Sequence, residues 1–478
     1  MNRKRTKIVA TISDKNCEIN FLRQLYDAGM DVVRINSAHL TPEGAQRIID
    51  NVREVSDKIA LLIDTKGPEI RTTICDTPIV VKKGASFSIT GDPGKKSSSN
   101  KLYVSHKSFA EDVPIGAMVM IDDGEIEMKV QKKEGNSLIC KALNDGIIGS
   151  RKSVNLPGVK ICLPSLTEKD RTFIELAARN DVEFIAHSFV RSRQDVLDVQ
   201  AEIDKHKSEI KIIAKIENQE GVENISDILE VVYGIMVARG DLAIEIPYEK
   251  IPIIQRMIIS RCIYCRKPVI VATQMLHSMI ANPRPTRAEV SDIASAIYSQ
   301  TDAIMLSGET ANGKYPVEAV KTMTKVALEV EGNKEKLLDT PYVNVTGEIS
   351  AYLAKVAVKT SLRISAKGII ADTMGGKTIR DMASYRGYNP IMAQCYSART
   401  MRELALSYGV YSSFQEKRKS IDEFIHIALK NLSKAHDFKA NDIIVVLAGN
   451  FSGGSGFSFI EVGTVQYLKD RVSIKEDQ

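Results

Sequence analysis

The chain has 478 residues, 44% hydrophobic and 26% charged, which predicts about three domains and excludes disordered, collagen-like and disulfide-scaffold proteins. Its formal net charge of +5 is too weak to indicate nucleic acid, and no apolar run approaches the ~20 residues that a membrane helix needs, so we expect neither partner. Its seven cysteines, odd in number and scattered, are typical of a reduced, cytoplasmic protein.

Eight segments rich in Val, Ile, Leu and Ala alternate with helix-like segments over the first two thirds of the chain. Such runs are typical of parallel strands that are buried on both faces. They are residues 6–12, 31–38, 59–65, 182–189, 210–217, 234–241, 267–274 and 302–309. An open doubly wound sheet also alternates strands and helices, but the number of strands favours an α/β fold built on a (β/α)8 TIM barrel.

Nearly every predicted strand ends in charged or hydroxyl-bearing residues. They are Thr11, Arg34, Asn36, Asp64, Thr65, Ser188, Lys215, Glu217, Arg239, Asp241, Thr273, Ser307 and Glu309. A barrel gathers the carboxyl ends of all its strands at one face, where its active site is built. We therefore predict a functional site at this face.

The third and fourth strands are separated by residues 68–160, whose short alternating segments are broken by Gly, Pro, Asp and Asn. We predict an inserted small β-barrel domain that lies over the active face as a lid. The TIM barrel then comprises residues 1–67 and 161–335. Strands and helices alternate again over residues 336–478, which predicts a C-terminal open α/β domain and a candidate regulatory role for it.

Lys215 and Glu217 lie two residues apart in a predicted strand, so their side chains project to the same side. The pair alone is a weak signal, but its apolar flanks place it inside the barrel mouth, where buried charges need partners. Asp241 ends the next strand, so Glu217 and Asp241 can share one magnesium ion; a helix cap is the other interpretation of Asp241. With Arg34 and Arg71, whose guanidinium groups suit phosphate, these residues predict a phosphoryl-transfer site.

Six segments, taken together and in this order, closely resemble the pyruvate kinase family along the whole chain. They are DTKGPEIRT, IIAKIENQEGV, GIMVARGDLAIEIP, VATQMLHSM, PRPTRAEVSD and AIMLSGETA. The resemblance implies transfer of the phosphoryl group of phosphoenolpyruvate to ADP, which gives pyruvate and ATP in the final step of glycolysis. The alternative is a magnesium-dependent barrel lyase or aldolase acting on pyruvate or phosphoenolpyruvate, which would need neither the lid nor Lys215.

The resemblance also assigns roles to individual residues. It implies that Lys215 stabilises the transferring phosphoryl group, that Glu217 and Asp241 bind magnesium, and that Thr273 lies beside the enolate. The residues implied in substrate binding are Arg34, Lys215, Asp241, Thr273 and the backbone of Arg239 and Gly240. Ser307 and Glu309 are implied in a proton relay. Contacts with the nucleotide and its phosphates are implied for Arg34, Asn36, His39, Arg71 and Lys152.

A potassium ion bound by Asn36, Asp64 and the Thr65 carbonyl is implied in the same way. The family's Asn-Phe-Ser-His reads Asn-Ser-Ala-His here, so Ala38 removes one hydroxyl ligand. Ser37 points to the other face if the strand continues. We expect potassium to activate the protein but to bind more weakly than it does with the serine in place.

Two further features depart from the family or leave alternatives open. Asp14 stands where a proline normally lies beside the adenine, which leaves the packing of the base open. The turn formed by Gly376, Lys377 and Thr378, with Thr373 before it, resembles the loop that binds an effector phosphate in regulated pyruvate kinases. A sugar-phosphate effector, a different effector and a simple turn all remain open, because the second half of that site, residues 449–457, resembles the family only partly. A homotetramer is implied by the resemblance alone.

Overall fold

The computed structural model describes residues 4–161, 163–333, 341–344, 348–418, 420–436, 438–449 and 459–476. The strands are β1 (Lys7–Ile12), β2 (Val32–Asn36), β3 (Ala60–Asp64), β4 (Ile79–Val81), β5 (Ser86–Gly91), β6 (Lys101–Val104), β7 (Met118–Ile121), β8 (Ile126–Glu134), β9 (Ser137–Ala142), β10 (Gly146–Ile148), β11 (Val154–Asn155), β12 (Phe184–His187), β13 (Lys211–Ile216), β14 (Gly234–Ala238), β15 (Val269–Ala272), β16 (Ala303–Leu306), β17 (Gly368–Thr373), β18 (Ile391–Cys395), β19 (Val410–Phe414), β20 (Ile443–Ala448) and β21 (Phe459–Thr464).

The α-helices are α1 (Ile19–Ala28), α2 (Pro42–Val55), α3 (Phe109–Asp112), α4 (Glu168–Arg179), α5 (Arg193–Lys205), α6 (Gln219–Glu223), α7 (Ile225–Val231), α8 (Arg239–Glu245), α9 (Ile251–Tyr264), α10 (Arg287–Tyr298), α11 (Gly308–Ala311), α12 (Pro316–Asn333), α13 (Ile349–Arg363), α14 (Lys377–Ser384), α15 (Ala398–Glu403), α16 (Ile421–His436) and α17 (Val465–Glu476). Short 3₁₀ helices span Ser37–His39, Tyr248–Lys250, His277–Ile280 and Leu404–Leu406. Among the residues that the structure describes, no helix has both the length and the apolar character needed to cross a bilayer.

The eight predicted strands form a closed parallel barrel in the order β1-β16-β15-β14-β13-β12-β3-β2. Every residue of β1, β3, β12, β14, β15 and β16 is buried, as expected for strands that pack on a barrel interior and on an outer layer of helices. The prediction of a TIM barrel is therefore confirmed.

One expectation about β2 is wrong. The strand ends at Asn36, and Ser37 begins a 3₁₀ turn rather than continuing to the opposite face of the strand. The cause is local, because the Asn36 Oδ1 accepts a hydrogen bond from the Ala38 N–H at 3.1 Å and so caps the turn.

The inserted region contains a six-stranded sheet, in the order β11-β7-β8-β9-β5-β6, and a two-stranded sheet of β4 and β10. The segment 70–73 joins the two edges of the larger sheet. Thr72 N donates to the Lys152 carbonyl next to β11, and Thr73 N donates to the Tyr103 carbonyl in β6, each at 2.8 Å. The predicted small barrel is thus completed by isolated bridges rather than by a regular strand. Its apolar core is separate from that of the TIM barrel.

The C-terminal sheet has the order β19-β18-β17-β20-β21, with β21 antiparallel at one edge. This domain shares a continuous apolar core with the barrel. A buried ion pair crosses the same boundary, because Arg386 Nη2 lies 2.5 Å from Asp302 Oδ2 and both side chains are almost fully buried. Removing one partner of such a pair leaves an uncompensated charge, so the pair fixes how the two domains dock.

A cavity of about 180 Å³ lies where the inserted domain joins the barrel. Glu245, the last residue of α8, lines it and accepts a hydrogen bond from the Gln219 N–H at 3.2 Å. Burial, with a smaller contribution from the neighbouring Glu220 carboxylate, raises the pKa of Glu245 to about 7. The carboxyl group is therefore protonated in the folded protein at a pH where it is ionised in the unfolded chain.

The raised pKa of Glu245 predicts a pH-dependent loss of stability. Its ordinary value is 4.5. Between pH 4.5 and about 7 the folded state binds more protons than the unfolded state, so stability falls as the pH rises. Glu245→Gln removes this penalty and keeps an oxygen for the Gln219 N–H. We expect the variant to be more stable than the wild type by about 1–3 kcal/mol at pH 8 and equally stable at pH 4.5.

The measurement is the thermal midpoint of both proteins at the two pH values. The matched control is Glu249→Gln, the same substitution at an exposed glutamate shortly after α8. An equal gain from Glu245→Gln at both pH values would contradict the assigned cause.

Candidate active site

Side chains from β2, β3 and β13 meet in one buried cluster at the carboxyl ends of the barrel strands. Arg34 in β2 donates to Asp64 Oδ2 in β3, at 2.6 Å from Nε and 2.5 Å from Nη2. Lys215 in β13 places its Nζ 3.0 Å from Asp64 Oδ1 and 2.9 Å from Glu217 Oε1. Lys215 and Glu217 do project to the same side, and Asp64 links them to Arg34.

The electrostatics of the cluster favour its charged forms at Lys215 and Asp64. Burial alone lowers the pKa of Lys215, but the carboxylates of Asp64 and Glu217 outweigh burial and raise it above the ordinary value. Burial raises the pKa of Asp64, but Arg34 and Lys215 outweigh burial and lower it. The cation and this carboxylate therefore keep their charges although both are buried.

Glu217 and Asp241 form the acidic side of the cluster. Burial raises the pKa of Glu217 to about 7, opposed by Lys215 and increased by Asp241. Burial likewise raises the pKa of Asp241, and Asp123 of the inserted domain adds to this effect. Two neighbouring carboxyl groups that are costly to ionise together fit a divalent cation. Over the described part of the chain, no group of three or more His, Cys, Asp or Glu could hold a metal ion.

Thr273 lies in a strained turn directly after β15. Its φ is +70°, and that of Gln274 is +55°, in the left-handed region that non-glycine residues rarely adopt. Thr273 Oγ1 accepts from the Gly240 N–H at 2.8 Å and donates to the Ala272 carbonyl at 2.6 Å. Arg239 Nη2 donates to the Thr273 carbonyl at 2.6 Å. The Arg239 guanidinium thus holds the threonine turn, whereas the sequence indicated only the backbone of that residue.

The residues implied in potassium binding offer oxygen donors of three kinds: an amide oxygen from Asn36, the Asp64 carboxylate and the Thr65 carbonyl. This donor set fits a monovalent cation that prefers oxygen ligands. The Thr65 carbonyl accepts from Ser188 Oγ at 2.7 Å. Ser37 is fully buried, and its Oγ has no hydrogen-bond partner within the described residues.

Of the residues implied in nucleotide binding, Arg34 belongs to the buried cluster, whereas Arg71, Lys152 and His39 are more exposed. Arg71 pairs with Glu69 at 2.7 Å, and Lys152 pairs with Asp122 at 2.7 Å. Both basic side chains are about two-fifths exposed, and His39 is exposed. The Arg71 and Lys152 side chains are therefore accessible from solvent.

Ser307 and Glu309 are brought to the loop that follows Thr273. Glu309 is buried, its Oε2 accepts from the Ser307 N–H at 2.7 Å, and its Oε1 accepts from the Leu276 N–H at 3.1 Å. These contacts connect the end of β16 to the segment after β15, so Glu309 supports the position of the threonine turn.

Two further residues of the site have no role in the sequence interpretation. Ser188 was recognised only as a polar strand end, and the structure places its Oγ 2.7 Å from Lys215 Nζ. Asp123, whose charge acts on Asp241, comes from the inserted domain. The Asp-Asp-Gly turn between two strand-like segments was its only signal.

A second cavity, of about 310 Å³, lies in the C-terminal domain. It is lined by Thr373, Lys377 and Thr378 of the predicted effector turn, together with Asp372, Tyr396 and Lys417. Gly376 has a φ of +77°, and its N–H donates to Thr373 Oγ1 at 2.8 Å. Burial raises the pKa of Asp372, which accepts from the Tyr396 hydroxyl at 2.9 Å. Of the other half of the predicted site, residues 449–457, Gly449 lines the same cavity and residues 450–457 lie outside the described residues.

Comparisons with known proteins agree with this geometry. The family model for the pyruvate kinase barrel domain matches residues 3–320, and that for the pyruvate kinase alpha/beta domain matches residues 352–461. The pyruvate kinase of Borreliella burgdorferi is 49% identical over 97% of this chain and 98% of its own length, and that of Geobacillus stearothermophilus is 41% identical over 95% and 79%. The crystal structure of a pyruvate kinase from Cryptosporidium parvum superposes with a TM-score of 0.91 at 34% identity, covering 97% of this chain and 96% of that one. This chain belongs to the pyruvate kinase family.

Proposed function

We propose that this chain transfers the phosphoryl group of phosphoenolpyruvate to ADP, with magnesium and potassium as its cations. The observation that carries the proposal is the Lys215 ammonium, buried between Asp64 and Glu217 and beside the second acid, Asp241. Phosphoryl transfer requires a positioned cation of this kind to neutralise charge on the moving group. The lyase alternative leaves Lys215 and the inserted domain without a purpose and is not favoured.

The chemistry follows from what each side chain can donate. The bond between phosphorus and the enol oxygen of phosphoenolpyruvate breaks, and a terminal phosphate oxygen of ADP bonds to the phosphorus. Lys215 and Arg34 donate N–H groups to the phosphoryl oxygens. Glu217 and Asp241 would hold magnesium, which would supply further neutralisation of substrate oxygens. The remaining enolate takes a proton at its methylene carbon on the side of Thr273, with Ser307 and Glu309 behind that turn as the proton relay.

We propose that the nucleotide is bound where the inserted domain faces the open end of the barrel. Arg71 and Lys152 form ion pairs with Glu69 and Asp122, which belong to the same inserted region. With Asn36 and His39 at the barrel rim, they can bind the phosphates of ADP when the inserted domain closes over it. This arrangement rests on the predicted division into a barrel of 1–67 and 161–335, a lid of 68–160 and a C-terminal domain of 336–478.

Lys215→Met separates the two halves of the reaction. Methionine fills similar space without charge, so we expect phosphoryl transfer to fall by at least about 10³-fold because the moving group loses its cation. Proton exchange at the methyl group of pyruvate should stay detectable, since Thr273 and its turn are untouched. The measurements are ADP-dependent pyruvate formation in a coupled assay and deuterium uptake by pyruvate.

The control is Lys321→Met, on the exposed side of α12, which should leave both rates unchanged. Pyruvate formation without ADP in the wild type would contradict the kinase function. Equal loss of both rates in Lys215→Met would contradict the role of the lysine.

Potassium activation is expected to be weak because Ala38 contributes no hydroxyl. Ala38→Ser adds one at the 3₁₀ turn, next to Asn36. We expect this variant to reach half-maximal activation at a potassium concentration about 3- to 30-fold lower than the wild type, which is the effect of about one additional ligand. Titration of potassium into both proteins in the coupled assay measures it. Full wild-type activity without any monovalent cation would exclude the potassium site.

We further propose that the C-terminal cavity binds a phosphorylated effector through Thr373, Gly376, Lys377 and Thr378. The first turn of α14 directs N–H groups into this region, and Lys417 adds a positive charge to the wall. A panel of sugar phosphates should change wild-type activity at subsaturating phosphoenolpyruvate, and Lys417→Ala should weaken that response by about tenfold. If no sugar phosphate changes the activity or the thermal midpoint, the effector site is contradicted and the turn has only a structural role.

A cytoplasmic homotetramer is proposed for the assembly and the compartment. Ile349, Tyr352 and Val356 are exposed along one side of α13, and such an apolar stripe favours a contact between copies of the chain. The six cysteines among the described residues are all free, as expected in a reducing compartment. Sedimentation of a monomer at micromolar concentration would contradict the assembly.

A further inference from the structure

Ser188 is an uncharged partner of the buried Lys215 ammonium. Lys215 Nζ donates to Ser188 Oγ at 2.7 Å, closer than to Glu217 Oε1 at 2.9 Å or Asp64 Oδ1 at 3.0 Å. An ammonium group has three N–H donors. These three oxygens therefore use the full donor capacity of Lys215.

A phosphoryl oxygen can reach Lys215 only when one of these three partners releases its N–H. Asp64 is also bound by Arg34, which keeps it in place, whereas the Glu217 carboxylate is the partner that is proposed to bind magnesium. If Glu217 turns to the metal, the bonds to Asp64 and Ser188 remain. Two retained bonds fix the rotation of the ammonium about the Cε–Nζ bond and direct the third N–H to the position that Glu217 vacates.

Ser188 is well held for this task. Its Oγ donates to the Thr65 carbonyl at 2.7 Å, with Asp64 Oδ1 at 3.2 Å as a second acceptor, and its N–H donates to Thr65 Oγ1 at 3.0 Å. Only 3% of the residue is exposed. Because the single hydroxyl proton is used by these acceptors, a lone pair is left for the lysine.

The backbone around Ser188 is shaped for these contacts. Phe189 has a φ of +56°, and its N–H donates to Glu217 Oε2 at 2.6 Å. A Cβ at Gly67 would lie 2.9 Å from both the Ser188 Cβ and the Phe189 ring, so only glycine lets the two segments pack this closely. One strained turn thus holds the hydroxyl on Lys215 and an N–H on Glu217.

We propose that Ser188 is a positioning residue for phosphoryl transfer, which acts by orienting the Lys215 ammonium and does not itself contact the substrate. Asp64 and Glu217 keep the lysine charged, and the neutral hydroxyl sets its direction without competing for its charge. This inference rests on the proposed function of the site.

The test compares Ser188→Ala with the wild type in the coupled assay and in pyruvate proton exchange. Loss of a hydrogen bond to a charged group predicts a fall in kcat for phosphoryl transfer of about 10- to 100-fold. The KM for phosphoenolpyruvate should change less than about threefold, and so should the exchange rate, because the lysine keeps its charge and the threonine turn is intact. Ser361→Ala, at a buried serine whose hydroxyl bonds only a helix carbonyl, controls for the loss of a buried hydroxyl.

A double-mutant cycle decides whether Ser188 acts through Lys215. In the Lys215→Met background, Ser188→Ala should lower the residual rate by less than about twofold. An unchanged kcat in Ser188→Ala, an equal fall in transfer and exchange, or a full further loss in the Lys215→Met background would each overturn the proposal. If Ser188→Ala does not fold, Ser188→Cys replaces it, because cysteine fills the same space with a weaker acceptor. The same changes in kcat, KM and exchange rate are then expected. Failure of the wild type to form pyruvate would instead overturn the proposed function.

Discussion

A buried ammonium group needs buried carboxylates, and the layout of this active site follows from that requirement. Lys215 stays charged in the barrel mouth because Asp64 and Glu217 compensate for its lost hydration, and Asp64 is in turn held by Arg34. With all groups ionised, two cations face the three carboxylates of Asp64, Glu217 and Asp241, which leaves one negative charge. A divalent and a monovalent cation turn this into a surplus of positive charge, and the site then suits a substrate that carries both a carboxylate and a phosphate.

The barrel makes it possible to bury this cluster of charged side chains. Parallel strands bring residues that are far apart in the chain to one rim, and the helices outside exclude water from beneath it. The strained turns at Thr273 and Phe189 are supported by the same surroundings. Arg239 holds the first turn through the Thr273 carbonyl, and Gly67 makes room for the second. Strain of this kind persists only where packing and hydrogen bonds fix the backbone, so the stability of the barrel positions the reacting groups.

Much of this could be predicted from the sequence, because strands and strand ends are local signals. Because side chains alternate along a strand, the sequence predicts that Lys215 and Glu217 project to the same side. The apolar segments predict the eight strands. Contacts that depend on tertiary structure could not be predicted. The Ser188 hydroxyl meets Lys215 only after the barrel closes, and the second strand, predicted to reach residue 38, ends two residues earlier because the Asn36 side chain caps a 3₁₀ turn. In each case a side-chain hydrogen bond decided what the strand pattern left open.

The cations of the site divide into fixed and exchangeable groups. Arg34 is 8% exposed and is tied to Asp64, so breaking that pair would leave a charge without water or partner. Arg71 and Lys152 pair with acids at exposures of 42% and 38%, where an ion pair is worth at most about 1 kcal/mol. Under the nucleotide contacts that we propose, phosphates replace those acids at little cost while the buried pair stays intact. In the proposed function, the exchangeable cations lie on the predicted lid and the fixed pair lies on the predicted barrel, so the lid can change its ionic partners without disturbing Arg34.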